Sequence, residues 1–216
     1  GTNSQRVTNV PLGPNKHTTL VGDVRNLGLT NVTFTASVET TWGSTPIIGE
    51  GYEVDSEGNY TVTTAEGLKA WAAAVQSNSS LNCTLADDIT LPVVTDGGSN
   101  WTPIQGYAGI FDGGGKTITG LTINKSTMNV GLFASIAEGG TVKNLTLDDV
   151  DITANSNVGA ITGQNWGTIE NCSVSGSVIG SSVDSYIGGI VGWHYGGIIT
   201  DCHSSATVEG IAYVGG

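Results

Sequence analysis

The chain has 216 residues and a formal net charge of −12, from 19 acidic against seven basic residues, with 33 glycines and only 12% charged residues. So few cations exclude a nucleic-acid surface, which needs Lys and Arg to displace phosphate counterions, and no apolar run approaches the roughly 18 residues of a membrane span. Abundant Gly, Ser, Thr, Asn and Val disfavour helices and suit short strands joined by tight turns, and three cysteines make no dense disulfide framework.

In chain order, residues 1–48 alternate in strand fashion, VPLGPNKHTTLVGDV being followed by NVTFTASVE. Two or three strands fit there, against the about seven of a complete sandwich, so the segment reads as part of another domain or as strands lent to another fold. Residues 49–62, GEGYEVDSEGNYTV, read as an acidic linker. Residues 63–76, TTAEGLKAWAAAVQ, carry the clear helix, expected over 64–77. Thr63 and Glu66 have capping-box spacing, and Leu68, Trp71, Ala72 and Val75 share one face at i, i+3, i+4 and i+7. Followed by the strand-like LADDITLP at 85–92, it is placed to cap the open end of a stacked fold; a helix that binds a partner is the alternative.

The stretch IFDGGGKT at 110–117 invites comparison with a phosphate-binding loop, G-x-x-x-x-G-K-[ST]. Its first glycine, Gly109, stands one place too early. The TITGLTI that follows is β-branched, without the helix whose N-terminus would complete a phosphate cradle. The glycines read instead as a corner at 112–115, with Lys116 pointing outward.

From residue 129 the sequence repeats. Four segments begin alike, Asn129-VGLF, Asn157-VGAI, Tyr186-IGGI and Tyr213-VGG, with Gly131, Gly159, Gly188 and Gly215 at intervals of 28, 29 and 27. A second block follows each of the first three starts: TVKNLTL at 141–147, TIENCSV at 168–174 and IITDCHS at 198–204. TITGLTI at 117–123 reads as an earlier copy, with Phe111 matched to Phe133. The aligned columns are Ile118/Val142/Ile169/Ile199, Leu121/Leu145/Cys172/Cys202 and Ile123/Leu147/Val174/Ser204, with a bend column Gly120/Asn144/Asn171/Asp201 of residues that tolerate left-handed backbone. Like residues recurring every ~28 positions between short strands point to an all-β solenoid, in which each coil buries its apolar side on the next; a β-sandwich with coincidental spacing is the alternative. The domain reading is therefore a strand segment over 1–48, a linker over 49–62 and a β-helix over 63–216. The bare Gly1 and the interrupted repeat at 213–216 give the expectation of a fragment.

The pieces VGLFASIAEGGTVKNLTL, VGAITGQNWGTIENCSVSGSV and IGGIVGWHYGGIITDCHSSATVEG resemble the GLUG motif of bacterial surface proteins, including adhesins and regions flanking IgA-peptidase modules. The resemblance covers about 109–216 and implies a right-handed parallel β-helix serving as scaffold rather than enzyme. Val10-Pro-Leu12, Asn15 and 18–22 resemble the closing strands of fimbrillin-like lipoproteins of Bacteroidetes.

Four residues are candidate ligand contacts: Trp166 and Tyr195, each seven places after a repeat glycine, with Trp193 and His194 alongside. Exposed aromatics at rung spacing suit stacking on sugars or docking a protein surface; the alternative is that they cover the core. No catalytic residue, metal ligand or cofactor is expected. In the acidic run LDDVD at 147–151, strand alternation puts Asp149 and Asp151 on one face and Asp148 on the other, so the three do not converge. Cys172 and Cys202 read as stacked free thiols, since side chains in register on parallel strands point the same way rather than at one another; a disulfide is the alternative. Asn-x-Ser/Thr triplets include Asn144 and Asn171, which turn chemistry also explains.

The expected function is a non-enzymatic cell-surface or outer-membrane adhesin or fimbria-associated protein, its β-helix a stalk or binding face. The alternatives are a polysaccharide lyase or hydrolase and a structural spacer. Expected partners are a host or bacterial glycan or protein and, through the last coil, a second copy. Nucleic acid is not expected, and membrane attachment would need a lipid anchor outside this chain.

Overall fold

The computed structural model describes residues 47–215; the fimbrillin-like segment lies almost wholly outside the described residues. The chain winds as a parallel β-helix. The first face stacks Tyr60–Val62, Cys83–Leu85, the first halves of Ile110–Thr119 and Thr141–Ala154, then Thr168–Glu170 and Ile198–Thr200, all parallel. The second face carries the later halves of the two long strands, followed by Ser173–Gly180 and then His203–Ser204 and Thr207–Glu209. The third side has two short runs: Met128–Val130, Ser156–Gly159, Ile187–Gly188 and Val214–Gly215, then Phe133–Ile136, Thr162–Asn165 and Val191–His194. Strands ~4.8 Å apart place each side chain on its equivalent one coil away. The core is therefore a set of columns, such as Cys83–Phe111–Val142–Ile169–Ile199 and Val130–Val158–Ile187–Val214. No described helix is long and apolar enough to cross a membrane.

The repeats from 129 onward fall in the expected register, including the fourth start, where Val214 pairs with Ile187. The first coil does not. Phe111, not Ile118, stands beside Val142, while Ile118 stands beside Leu147. Phe133 pairs with Thr162 rather than matching Phe111. The cause is the glycine corner. Three residues, 113–115, sit between the partners of Lys143 and Leu145, where the next coil has Asn144 alone. Gly114 and Gly115 take positive φ of 60° and 72°, and a Cβ on Gly113 would lie 2.4 Å from the Asn144 carbonyl oxygen. A glycine bulge thus wraps the Asn144 bend and shifts the phase. Strand follows it, not helix.

Residues 49–62 are not a linker. Ile47–Gly49, Tyr52–Val54 and Tyr60–Val62 form an antiparallel meander, whose last strand starts the parallel stack. Alternation in YEV and YTV buries Val54 and Val62 and stacks Tyr52 on Tyr60 at 5.4 Å, which the acidic turn between them masks in the sequence. The helix α1 runs over Ala65–Val75, with Thr64 rather than Thr63 as its N-cap: the Thr64 hydroxyl accepts from the Gly67 amide at 3.1 Å. Leu68, Trp71 and Val75 are buried as the periodicity predicts, with Ala72 packed against the same core.

The bend column holds in the later coils. Asn144, Asn171 and Asp201 have φ of 53°, 49° and 51°. The two asparagines form a ladder that ends on Asp112, Asn171 Nδ2 donating to Asn144 Oδ1 at 2.9 Å and Asn144 Nδ2 to Asp112 Oδ1 at 3.0 Å. A second ladder joins Asn157 to Asn129 at 2.7 Å. An alanine at 144 would break two rungs and keep a Cβ in left-handed backbone without the polar group that lets asparagine tolerate it, at about 1–2 kcal/mol for the conformation. Asn144→Ala is therefore expected to unfold at lower denaturant than Asn144→Gly, although both lose the ladder.

Cys83, Cys172 and Cys202 are free thiols. Cys172 is buried and Cys202 half-buried, each donating to the carbonyl two residues back, at 3.2 and 3.1 Å. Burial pushes the Cys172 thiol from its ordinary 9.0 up to about 12. The folded state thus favours the protonated thiol, and the unfolded chain ionises first as pH rises. Stability from this group is full below about pH 9 and is lost as pH climbs towards about 12. Cys172→Ala is expected to flatten the alkaline slope of the denaturation midpoint relative to the wild type.

Candidate functional site: an aromatic row across the last coils

The turns that leave the third side carry the candidate residues. Register pairs Gln164 with Trp193 and Asn165 with His194, so the next residues, Trp166 and Tyr195, occupy equivalent turns of successive coils. The Tyr195 amide donates to the Asn165 carbonyl at 3.2 Å, which seats one turn on the other. The Trp166 and Tyr195 rings lie 5.8 Å apart, tilted at 46°, and Trp193 meets Tyr195 edge-on at 5.6 Å. Trp166 and Trp193 are half-buried, while Tyr195 is 66% exposed. The exposed His194 stands beside them, its Nδ1 3.3 Å from Asn165 Nδ2. Asn165 is fully buried and also bonds both backbone groups of Gly167. With the amide donating, Nδ1 of His194 is the acceptor, leaving Nε2–H as a solvent-facing donor.

All four candidates therefore share one region, and two further aromatics extend it. Trp193 stacks on Tyr186 at 5.6 Å and 14°, and Tyr186 on Tyr213 at 4.8 Å and 12°. The result is a continuous row, Trp166–Tyr195–Trp193–Tyr186–Tyr213. Tyr186 and Tyr213 had a sequence signal: they open the third and fourth repeats, where the first two have Asn129 and Asn157. Tyr213 holds φ of 48°, a left-handed conformation that asparagine tolerates and tyrosine does not favour.

The acidic run departs from strict alternation. Asp149 has φ of 52°, the register shifts between Leu147 and Val150, and Asp148, Asp149 and Asp151 are all exposed. Asp148 accepts from Ser175 Oγ, whose oxygen in turn takes the Asp149 amide. Among the described residues no group of three or more His, Cys, Asp or Glu is placed to hold a metal ion.

Coils of this kind, with glycine starts and asparagine bends, define a parallel β-solenoid. The family model described as the GLUG motif matches residues 154–179 and 184–209. The chain is 43% identical over 100 residues to Halomucin of Haloquadratum walsbyi, a match covering 45% of this chain and 1% of that protein. It is 44% identical over 99 residues to a candidate Gly-rich membrane protein of Evansella cellulosilytica, covering 42% of this chain and 12% of the relative. The matches thus span only a small part of either relative. Among solved structures, a candidate immunoglobulin A1 protease from Bacteroides ovatus is similar with a TM-score of 0.51 at 15% identity, over 74% of this chain and 64% of that one. At that identity the likeness is one of fold.

Proposed function

We propose that this β-helix is the non-catalytic binding stalk of a cell-surface adhesin, and that the aromatic row is its contact face. The observation that carries the reading is the row itself: five rings in unbroken contact, with Tyr195 and Tyr213 at 66% and 68% exposure. Rings used only for packing are buried by it, as Trp71, Tyr107, Phe111 and Phe133 are. An aromatic kept in left-handed backbone at 213 is a local cost of the sort that accompanies function. The GLUG repeats and the membrane protein among the relatives support placement at a cell surface. A rigid solenoid presents ring faces at fixed rung spacing, so stacking on sugar rings needs little ordering of the site.

A glycan-array screen of the wild type beside a Trp166→Ala/Tyr195→Ala variant tests this. Loss of two stacked rings at a contact centre is worth about 2 kcal/mol or more, so binding should fall at least about tenfold while the fold is retained. Binding that survives in the variant discards the row. Absence of binding to any glycan shifts the reading to a protein ligand or to a spacer.

A further inference from the structure

A groove stands beside the capping helix. It lies between α1 and residues 99–103 and has a volume of about 610 Å³, within the ~300–1,000 Å³ range of small-molecule sites. Lys69 and Ala72 of α1 and its C-cap Gln76 line it on one side, with Trp101, Thr102 and Lys125 also in the lining. Its walls are held by bonds that need no ligand. Trp101 Nε1 donates to the Leu132 carbonyl at 2.8 Å, and the Asn124 amide donates to Ser99 Oγ at 2.9 Å. Asn124 Nδ2 donates to the Gly97 carbonyl at 2.9 Å, and the Lys125 amide to the Thr153 carbonyl at 3.0 Å. The groove is preformed.

Its charge runs against the rest of the molecule. The described residues contain four basic side chains, Lys69, Lys116, Lys125 and Lys143, in a chain of net charge −12. Lys143 is paired with Asp112 at 3.3 Å. Two of the other three line this one groove; neither forms an ion pair with a described residue, and no Asp or Glu lines it. Two lysines in a lining that also holds Ala72, Ala73 and Pro103 fit a ligand with an anionic group and an apolar face. The Gln76 amide and the Thr102 hydroxyl supply partners for hydroxyls. A carboxylated sugar ring has all of these features.

We propose that the groove between α1 and residues 99–103 binds an acidic, carboxylate-bearing sugar through Lys69 and Lys125. The site is separate from the aromatic row and stands without it. Calorimetric titration of the protein with an oligogalacturonate, and with its neutral methyl ester, tests the proposal. The acid should bind, the ester at least about tenfold more weakly, and Lys69→Met and Lys125→Met should each weaken the acid by about tenfold, the loss of one charge-assisted contact. Met keeps the aliphatic stem, so the thermal midpoint should hold, and the Trp166→Ala/Tyr195→Ala variant should bind the acid as the wild type does. The proposal is overturned by no binding of the acid, by equal binding of the ester, or by full binding in a folded Lys69→Met/Lys125→Met variant.

Discussion

Trp71→Ala is expected to remove about 3–5 kcal/mol of stability, the range for deleting a large aromatic from a packed core. Trp71 is fully buried, and it is the point where the capping helix enters the solenoid. Its ring lies 5.0 Å from Phe111, 5.6 Å edge-on to Tyr107 and 6.4 Å from Phe133, and Tyr107 and Phe133 stack on each other at 4.8 Å. The four rings come from the helix and from three further segments of the chain, so the cavity would open where several elements meet and could not collapse without moving all of them. The indole also donates to the Leu81 carbonyl at 3.4 Å, fixing the turn after the helix. Domains are stable by only about 5–15 kcal/mol, so the loss is a large share. Urea denaturation measures it, with Trp71→Phe as the milder control. A Trp71→Ala variant within about 1 kcal/mol of the wild type would mean that the helix is not part of the cooperative core. Loosening the helix also exposes the apolar end of the core that it covers, so the variant should aggregate at concentrations where the wild type does not.

Gly163→Ala is the second large effect, and it acts through crowding rather than loss. A Cβ at 163 would lie 2.5 Å from three backbone atoms of the preceding coil, the Asn129 carbonyl carbon and Cα and the Val130 nitrogen. Gly192, one coil later, meets Asn157 and Val158 in the same way, at 2.5 and 2.4 Å. Backbone cannot rotate aside as a side chain can, so a methyl here must push two coils apart. The expected cost is about 3 kcal/mol, the upper end of the range for overpacking. Gly196→Ala supplies the comparison, since a Cβ there meets nothing within 4 Å; it should leave the denaturation midpoint unchanged. Equal stability of the two variants would refute the account of why these repeats keep glycine between their short runs.

The two substitutions also mark how far the sequence was readable. The period of the repeats, the register of the glycine starts and the asparagine bends were legible, because stacked coils force equivalent positions to meet equivalent chemistry. The helix face through Leu68, Trp71 and Val75 was legible for the same local reason. The phase of the first coil was not: the triple glycine at 113–115 inserts extra residues opposite one bend, and residue spacing alone cannot tell a bulge from a corner. The strands within 49–62 were hidden by acidic turn residues between very short apolar alternations. Of the aromatic row, Trp166, Trp193 and Tyr195 were legible as a cluster at one turn, while Tyr186 and Tyr213, in the column of Asn129 and Asn157, were legible only as repeat starts. Their contact with Trp193 depends on how the two short runs of one coil bend around each other.

What the sequence by itself determined is the architecture, because a repeating chain with glycine and asparagine at fixed intervals has one economical way to bury its apolar columns. Tertiary structure alone decided which side chains became sites. Trp71 and Trp193 are both tryptophans that follow a small residue, Ala70 and Gly192. One is sealed because its helix lies over the end of the coil, and the other, on the strand Val191–His194, is left half-open among the exposed Tyr186 and Tyr195. Lys69 and Lys125 are far apart in the chain, and they line one groove because the helix folds back beside residues 99–103. Exposure and convergence are properties of distant segments brought together, and no local pattern of residues encodes them.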